Sequence, residues 1–275
     1  MAKRYELDKN KDKIIDLYIN KRMSCKDISI KLGYSLCGIY DALKRWNIKT
    51  RSLRESHLVY ECDENYFERI DSQEKAYWLG FIYADGYITG NYLGIALSIK
   101  DKLHLEKFKK SIKATYPINS YISKSNGYGY KSVRYCRIVI TSPKLVSDIK
   151  QKGVLNNKSL IIKFPSEDVL SPIYYRDFIR GYFDGDGSLV LSKKSINFKI
   201  CGTKEFLEKL IEIFNEHSDY FFKNILFKRV KDEKNNYYLS YGGRYKTLSI
   251  MNYLYDKSEI YLERKYKKFM FLRNL

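Results

Sequence analysis

The 275-residue chain predicts an α+β protein, a duplicated half of helices and antiparallel strands behind a small all-α module. Three observations carry that prediction. A stretch ending Ala84-Asp85-Gly86 returns as a stretch ending Gly185-Asp186-Gly187, an offset of 101 residues. Over the first 56 residues apolar side chains recur every three or four positions, the helical period. The 51 Lys plus Arg against 32 Asp plus Glu give +19, with 44% hydrophobic and 16% aromatic residues. That is a folded chain with an anionic partner, not a disordered polycation.

Residues 1–56 read as a helical module. Ile14, Leu17 and Tyr18 mark a helix over 11–20. Ser24 with Asp27 has capping-box spacing for a second helix carrying Cys25, Ile28 and Leu32 on one face, and Gly33 ends it. Ser35 caps a third, with Leu36, Ile39, Leu43 and Trp46 inward. Helix, glycine turn, helix is the helix-turn-helix layout. Tyr40, Lys44, Arg45, Lys49, Arg51 and Arg54 are its expected DNA contacts. Residues 57–70 read as a linker.

The two halves are expected over 71–165 and 166–275. Asp71 with Glu74 starts the first repeated helix; Ser171 with Pro172 starts the second. Gly86 and Gly187 are expected to stop them as left-handed glycines. Gly80 and Ala84, like Gly181 and Gly185, stand four apart on one face, so the two helices can pack backbone against backbone. Extended segments follow over 92–99, 130–140, 196–200 and 237–250, then Leu155-x-x-Lys158 is answered by Leu262-x-x-Lys265. Each half thus reads helix, two strands, helix, strands, helix.

Close packing of the repeated helices brings Asp85 and Asp186 together at two helix C-termini, where the macrodipole and mutual repulsion both disfavour carboxylates. A cation between them resolves the conflict. Two carboxylates plus phosphate oxygens and water suit Mg²⁺. No CxxC pair occurs, and three isolated histidines, His57, His104 and His217, do not suggest a zinc or histidine centre.

The stretches 78–86 and 179–187 resemble the paired LAGLIDADG motifs of single-chain homing endonucleases, the likeness running over about 74–275. It implies a pseudo-twofold pair of αββαββα halves, motif helices at the interface, and a saddle of antiparallel strands on duplex DNA. It further implies a site-specific, Mg²⁺-dependent endodeoxyribonuclease of intron homing and mobile genetic elements, with Mn²⁺ substituting and Ca²⁺ supporting binding without cleavage. Asp85 and Asp186 fall on the metal-binding acids, with the backbone carbonyls of Ala84 and Gly185 as further ligands. In the family a basic residue from each half stands near the scissile phosphates and helps the chemistry by electrostatic stabilisation; Lys158 and Lys265 are the candidates here. Arg134, Arg137, Lys199, Lys228, Arg229, Lys231 and Arg244 are the expected DNA readers or phosphate clamps. Position six of the first motif is Tyr83, not an acid, and the second motif has Arg180 at position two and Gly185 at position seven.

Two other functions stay open on the sequence: a non-cleaving DNA-binding regulator with this fold, and an RNA maturase assisting intron splicing. The expected partner is double-stranded DNA with a long asymmetric site, with intron RNA as the alternative, bound by a monomer. No apolar run approaches the roughly 20 residues of a membrane span, and the N-terminus has no hydrophobic signal stretch. The expected location is therefore cytoplasmic, without a membrane partner.

Overall fold

The computed structural model describes residues 2–51, 59–123, 132–156, 158–192, 195–228 and 234–275. They fall into two compact units, Met1–Val59 and Tyr60–Leu275.

The first unit holds α1 (Ala2–Lys9), α2 (Lys11–Ile15, continued by a π-helical turn Asp16–Asn20), α3 (Cys25–Leu32) and α4 (Leu36–Arg45). Ser24 accepts from the backbone N–H of Asp27 at 3.0 Å and Ser35 from that of Gly38 at 3.1 Å, so both serines cap as expected. Gly33 ends α3 at φ +72°, a conformation that favours glycine. Ile14, Leu17, Ile28, Ile39, Ala42 and Leu43 form the core. Helix α1 was not expected: among its described side chains only Leu7 is buried, and one apolar anchor leaves no period to read.

The second unit repeats one topology. The first half runs α5 (Gln73–Asp85), β1 (Gly86–Thr89), β2 (Tyr92–Ser98), α6 (Lys102–Ser111), β3 (Asn119–Ile122), β4 (Arg134–Thr141) and α7 (Pro143–Gln151). The second runs α8 (Tyr175–Asp186), β5 (Gly187–Leu191), β6 (Ile196–Gly202), α9 (Lys204–Glu216), β7 (Leu226–Lys228), β8 (Tyr237–Gly242), α10 (Arg244–Tyr255) and an added α11 (Glu263–Arg273). The sheets have matching orders, β1-β2-β4-β3 and β5-β6-β8-β7, antiparallel throughout. Burial alternates along β4 and β8, so each sheet seats one face on the core and turns the other outward. This is the expected α+β pair of αββαββα halves. No described helix is long and apolar enough to cross a membrane.

The structure alters several local expectations. Residues 60–70 do not link: Tyr66, Phe67 and Ile70 are buried in the core of the second unit, and the Asp63 N–H donates to Ile112 O at 2.8 Å. Helix α5 is capped by Ser72, which accepts from Lys75 N at 3.2 Å. The residues expected to cap it are engaged otherwise: Asp71 pairs with the Lys75 ammonium at 2.8 Å and Glu74 accepts from Tyr66 OH at 2.7 Å. Gly86 and Gly187 are extended, not left-handed, and open β1 and β5. Glycine is required there by contact. A Cβ would sit 2.7 Å from Ile82 Cγ2 at Gly86 and 2.6 Å from Phe183 Cγ at Gly187. The segment expected to be extended over 237–250 becomes helix at Arg244, because Gly243 at φ +94° turns the chain out of β8.

Candidate active site at the crossed motif helices

Helices α5 and α8 cross at Gly80 and Gly181. A Cβ on Gly80 would meet the Phe178 carbonyl carbon at 2.8 Å, and one on Gly181 the Tyr77 carbonyl carbon at 2.9 Å. Only hydrogen fits between these backbones. One turn on, a Cβ on Gly185 would collide with Ala84 Cβ and lie 3.3 Å from the Asp85 carboxyl carbon. The crossing therefore brings the C-terminal ends of both helices, and with them Asp85 and Asp186, into one small space.

Burial pushes the Asp85 carboxyl up to about 6, the charge of Asp186 adds to the rise, and Lys265 and Lys158 oppose it. Both lysines are buried. Burial lowers the Lys158 ammonium from its ordinary value, against the pull of Asp186 and Asp85, and lowers that of Lys265 to about 8. Their positions correspond. Lys158 Nζ donates to Gly86 O, and Lys265 Nζ to Gly187 O at 2.6 Å, each glycine following a motif acid. Lys265 also donates to Phe183 O and, at 2.8 Å, to Asp184 O. Both ammonium groups thus close the carbonyl ends of the motif helices and supply positive charge beside the acids.

Among the described residues no group of three or more His, Cys, Asp or Glu assembles a metal cage. A pair of carboxylates, one of them raised by burial and further by the other's charge, still fits a hard divalent ion that keeps most of its positions for water and phosphate oxygens.

Two residues of the second motif, the departure Arg180 and the retained acid Asp184, have structural roles that their spacing does not reveal. Arg180, fully buried, donates to Asp177 at 2.7 Å, Ile260 O at 2.8 Å and Leu254 O at 2.9 Å. It pins the segment between α10 and α11. Asp184, also fully buried, accepts from Tyr77 OH and Leu262 N, each at 2.7 Å, and from Tyr255 OH. The signal was present: a charge inside an apolar motif needs a buried partner. Tyr83, its counterpart in the first motif, is buried and donates to Lys152 O.

The expected DNA contacts divide. Arg137 lies over the Tyr121 ring at 4.7 Å, Lys199 over Tyr238 at 3.6 Å and Lys228 over Tyr237 at 4.4 Å, each on a sheet strand. Arg134 is exposed at the start of β4. Arg244 is not on a strand but opens α10. In the first unit Tyr40, Lys44 and Lys49 are exposed. Arg45 pairs with Asp8 at 2.6 Å. Arg51 stacks on Tyr18 at 4.4 Å and donates to Arg22 O at 2.9 Å and Met23 O at 2.5 Å, holding its own unit together. Arg54, Arg229 and Lys231 lie outside the described residues. The aromatic partners Tyr121, Tyr237 and Tyr238 were missed, since pairing register, not composition, brings them to the cations.

Residues 72–152 match the model of the LAGLIDADG-like domain, so this part of the chain is similar to that domain. Among solved structures it is similar to the homing endonuclease I-WcaI bound to its DNA recognition sequence, at 17% identity and a TM-score of 0.51, covering 74% of this chain and 90% of that one. That likeness shows the fold alone. It is also similar to the I-SmaMI LAGLIDADG homing endonuclease bound to cleaved DNA (14% identity, TM-score 0.44, 72% and 87% covered). A third is the N-terminal LAGLIDADG domain of DUF199/WhiA (14%, 0.42, 74% and 92%). No curated protein matches the chain.

Proposed function

We propose that the protein is a site-specific endonuclease that hydrolyses both strands of duplex DNA with a divalent cation, Mg²⁺ in the first place. The observation that carries this is the placement of Asp85 and Asp186 at two helix ends that cross without a side chain between them. Folding alone does not favour it: burial and the neighbouring charge make the ionised Asp85 costly. Such a cost is tolerated at sites where the charge is used.

Asp85 and Asp186 would hold the cation, together with the carbonyls of Ala84 and Gly185. A bound divalent ion supplies Lewis acidity toward a phosphate oxygen and a more acidic water. Lys158 and Lys265 keep Asp85 more ionised than burial alone would, and add fixed positive charge where a phosphate gains negative charge in an in-line displacement. Arg134, Arg137, Lys199 and Lys228 would contact backbone and base edges from the strands. The DNA-bound state of I-WcaI supports duplex DNA as the substrate. The N-terminal unit would add contacts through Tyr40, Lys44 and Lys49 in helix-turn-helix fashion.

The test is a selection from random duplex DNA in Ca²⁺ followed by transfer to Mg²⁺. A long asymmetric site should be enriched and then cut, with binding that weakens steeply as salt rises. No enriched duplex, or a nearly flat salt dependence, would overturn the reading. Preference for an intron transcript over duplex DNA would point instead to the maturase.

A further inference from the structure

At the end of α8, two helices close each other's termini. The Asp184 carboxylate, from α8, accepts from the backbone N–H of Leu262, the N-cap residue just before α11, whose own side chain supplies no cap. A helix start presents unpaired N–H groups and the positive end of its dipole, so a carboxylate there is stabilising. One turn along α11, Lys265 sends its ammonium back to the last carbonyls of α8. It bonds Phe183 O, Asp184 O and Gly187 O, with Gly185 O at 3.5 Å. A helix end presents unpaired C=O groups and the negative end of its dipole, so a lysine there is stabilising as well.

We propose that Asp184 is a positioning residue of the second half: with Lys265 it forms a reciprocal cap that sets the end of α8, and the acid Asp186 it carries, against α11. The wider setting supports the assignment. Tyr255 of α10 and Tyr77 of α5 both donate to Asp184, so the cap is tied to its own half and to the other one. The Tyr77 hydroxyl also meets His104 Nε2 at 3.0 Å, which extends the polar chain into α6. The first half is built differently. Tyr83 stands at the same motif position and donates to Lys152 O, so Lys158 closes its helix end without a carboxylate answering it from that position. The relevance of this cap to catalysis rests on the reading of Asp186 as an active-site acid; its existence does not.

The experiment is amine labelling of the full-length chain by reductive methylation, read residue by residue by peptide mass spectrometry, with no DNA present. In Asp184→Asn the labelling of Lys265 should rise several-fold while that of Lys158 stays as in the wild type, and the amide of Leu262 should exchange faster. Tyr83→Phe removes a buried hydroxyl from the matching position and should leave Lys265 protected. The ratio of Lys265 to Lys158 labelling separates positioning from general loosening. Should Asp184→Asn fail to fold, Tyr255→Phe removes one bond to the same carboxylate and should raise the ratio by a smaller amount. Lys265 as protected in the folded variant as in the wild type, or both lysines rising together, would overturn the proposal. Neither result depends on nuclease activity, so the proposed function stands or falls separately.

Discussion

The two halves of the second unit share a topology, a sheet order and a glycine at the helix crossing, yet they secure their motif helices by different chemistry. The first uses Leu79 and Tyr83, both buried, with one phenol-to-carbonyl bond. The second replaces them with Arg180 and Asp184, two buried charges satisfied by an ion pair, main-chain carbonyls, phenols and a helix N–H. The symmetric features are those that bring the acids together. The asymmetric ones fasten α11, an element that only the second half has. Duplication thus sets the geometry of the site, and each half has its own way of holding it.

The comparison can be broken most forcefully at Arg180. Arg180→Leu, which gives the second motif the residue of the first, should cost about 3–5 kcal/mol in urea denaturation, because Asp177 is left buried and unpaired. A cost under about 1 kcal/mol would mean that the ion pair does not hold the second half. Next comes the symmetric feature. Gly80→Ala and Gly181→Ala should each lower stability by about 3 kcal/mol, and by similar amounts, since each new methyl meets the other helix's backbone. Very unequal losses would show that the crossing is not shared evenly.

A smaller effect, of opposite sign, is expected at the acids. Asp85 binds its proton more tightly in the folded chain, near pH 6, than in the unfolded chain, near 3.8. Stability therefore falls as pH rises from about 4 through 6, and the penalty stands in full above that. Asp85→Asn should raise stability at pH 7.5 by about 2 kcal/mol and change it little at pH 4, measured by denaturation at both. A destabilised variant at pH 7.5 would contradict the assigned strain. The smallest effect concerns the first unit. Removing Lys44 and Lys49 together should reduce the slope of log K against log salt by about 2, and an unchanged slope would take this unit off the DNA.

Much of this was legible in the sequence because it depends on local spacing. Ser24, Gly33 and Ser35 bound α3 and α4 where the capping pattern put them, and the glycines four apart marked the packed face. What escaped depended on tertiary neighbours. Gly86 and Gly187 are required by contacts with Ile82 and Phe183, not by their own dihedral angles. Arg51 carries the same charge as Lys49 in sequence, but its guanidinium is taken up by the carbonyls of Arg22 and Met23. The buried role of Asp184 could not be separated from that of Asp186 by spacing, since both are acids of one motif and only burial distinguishes them.

The central claim is that Asp85 and Asp186 together form a cation-dependent cutting centre. It is tested most directly on a duplex selected in Ca²⁺, with the wild type, Asp85→Asn and Asp186→Asn assayed for binding in Ca²⁺ and for cleavage of each strand in Mg²⁺. The account predicts that all three bind, that the wild type cuts both strands, and that each variant loses cleavage. Cleavage at the wild-type rate by both variants would contradict it.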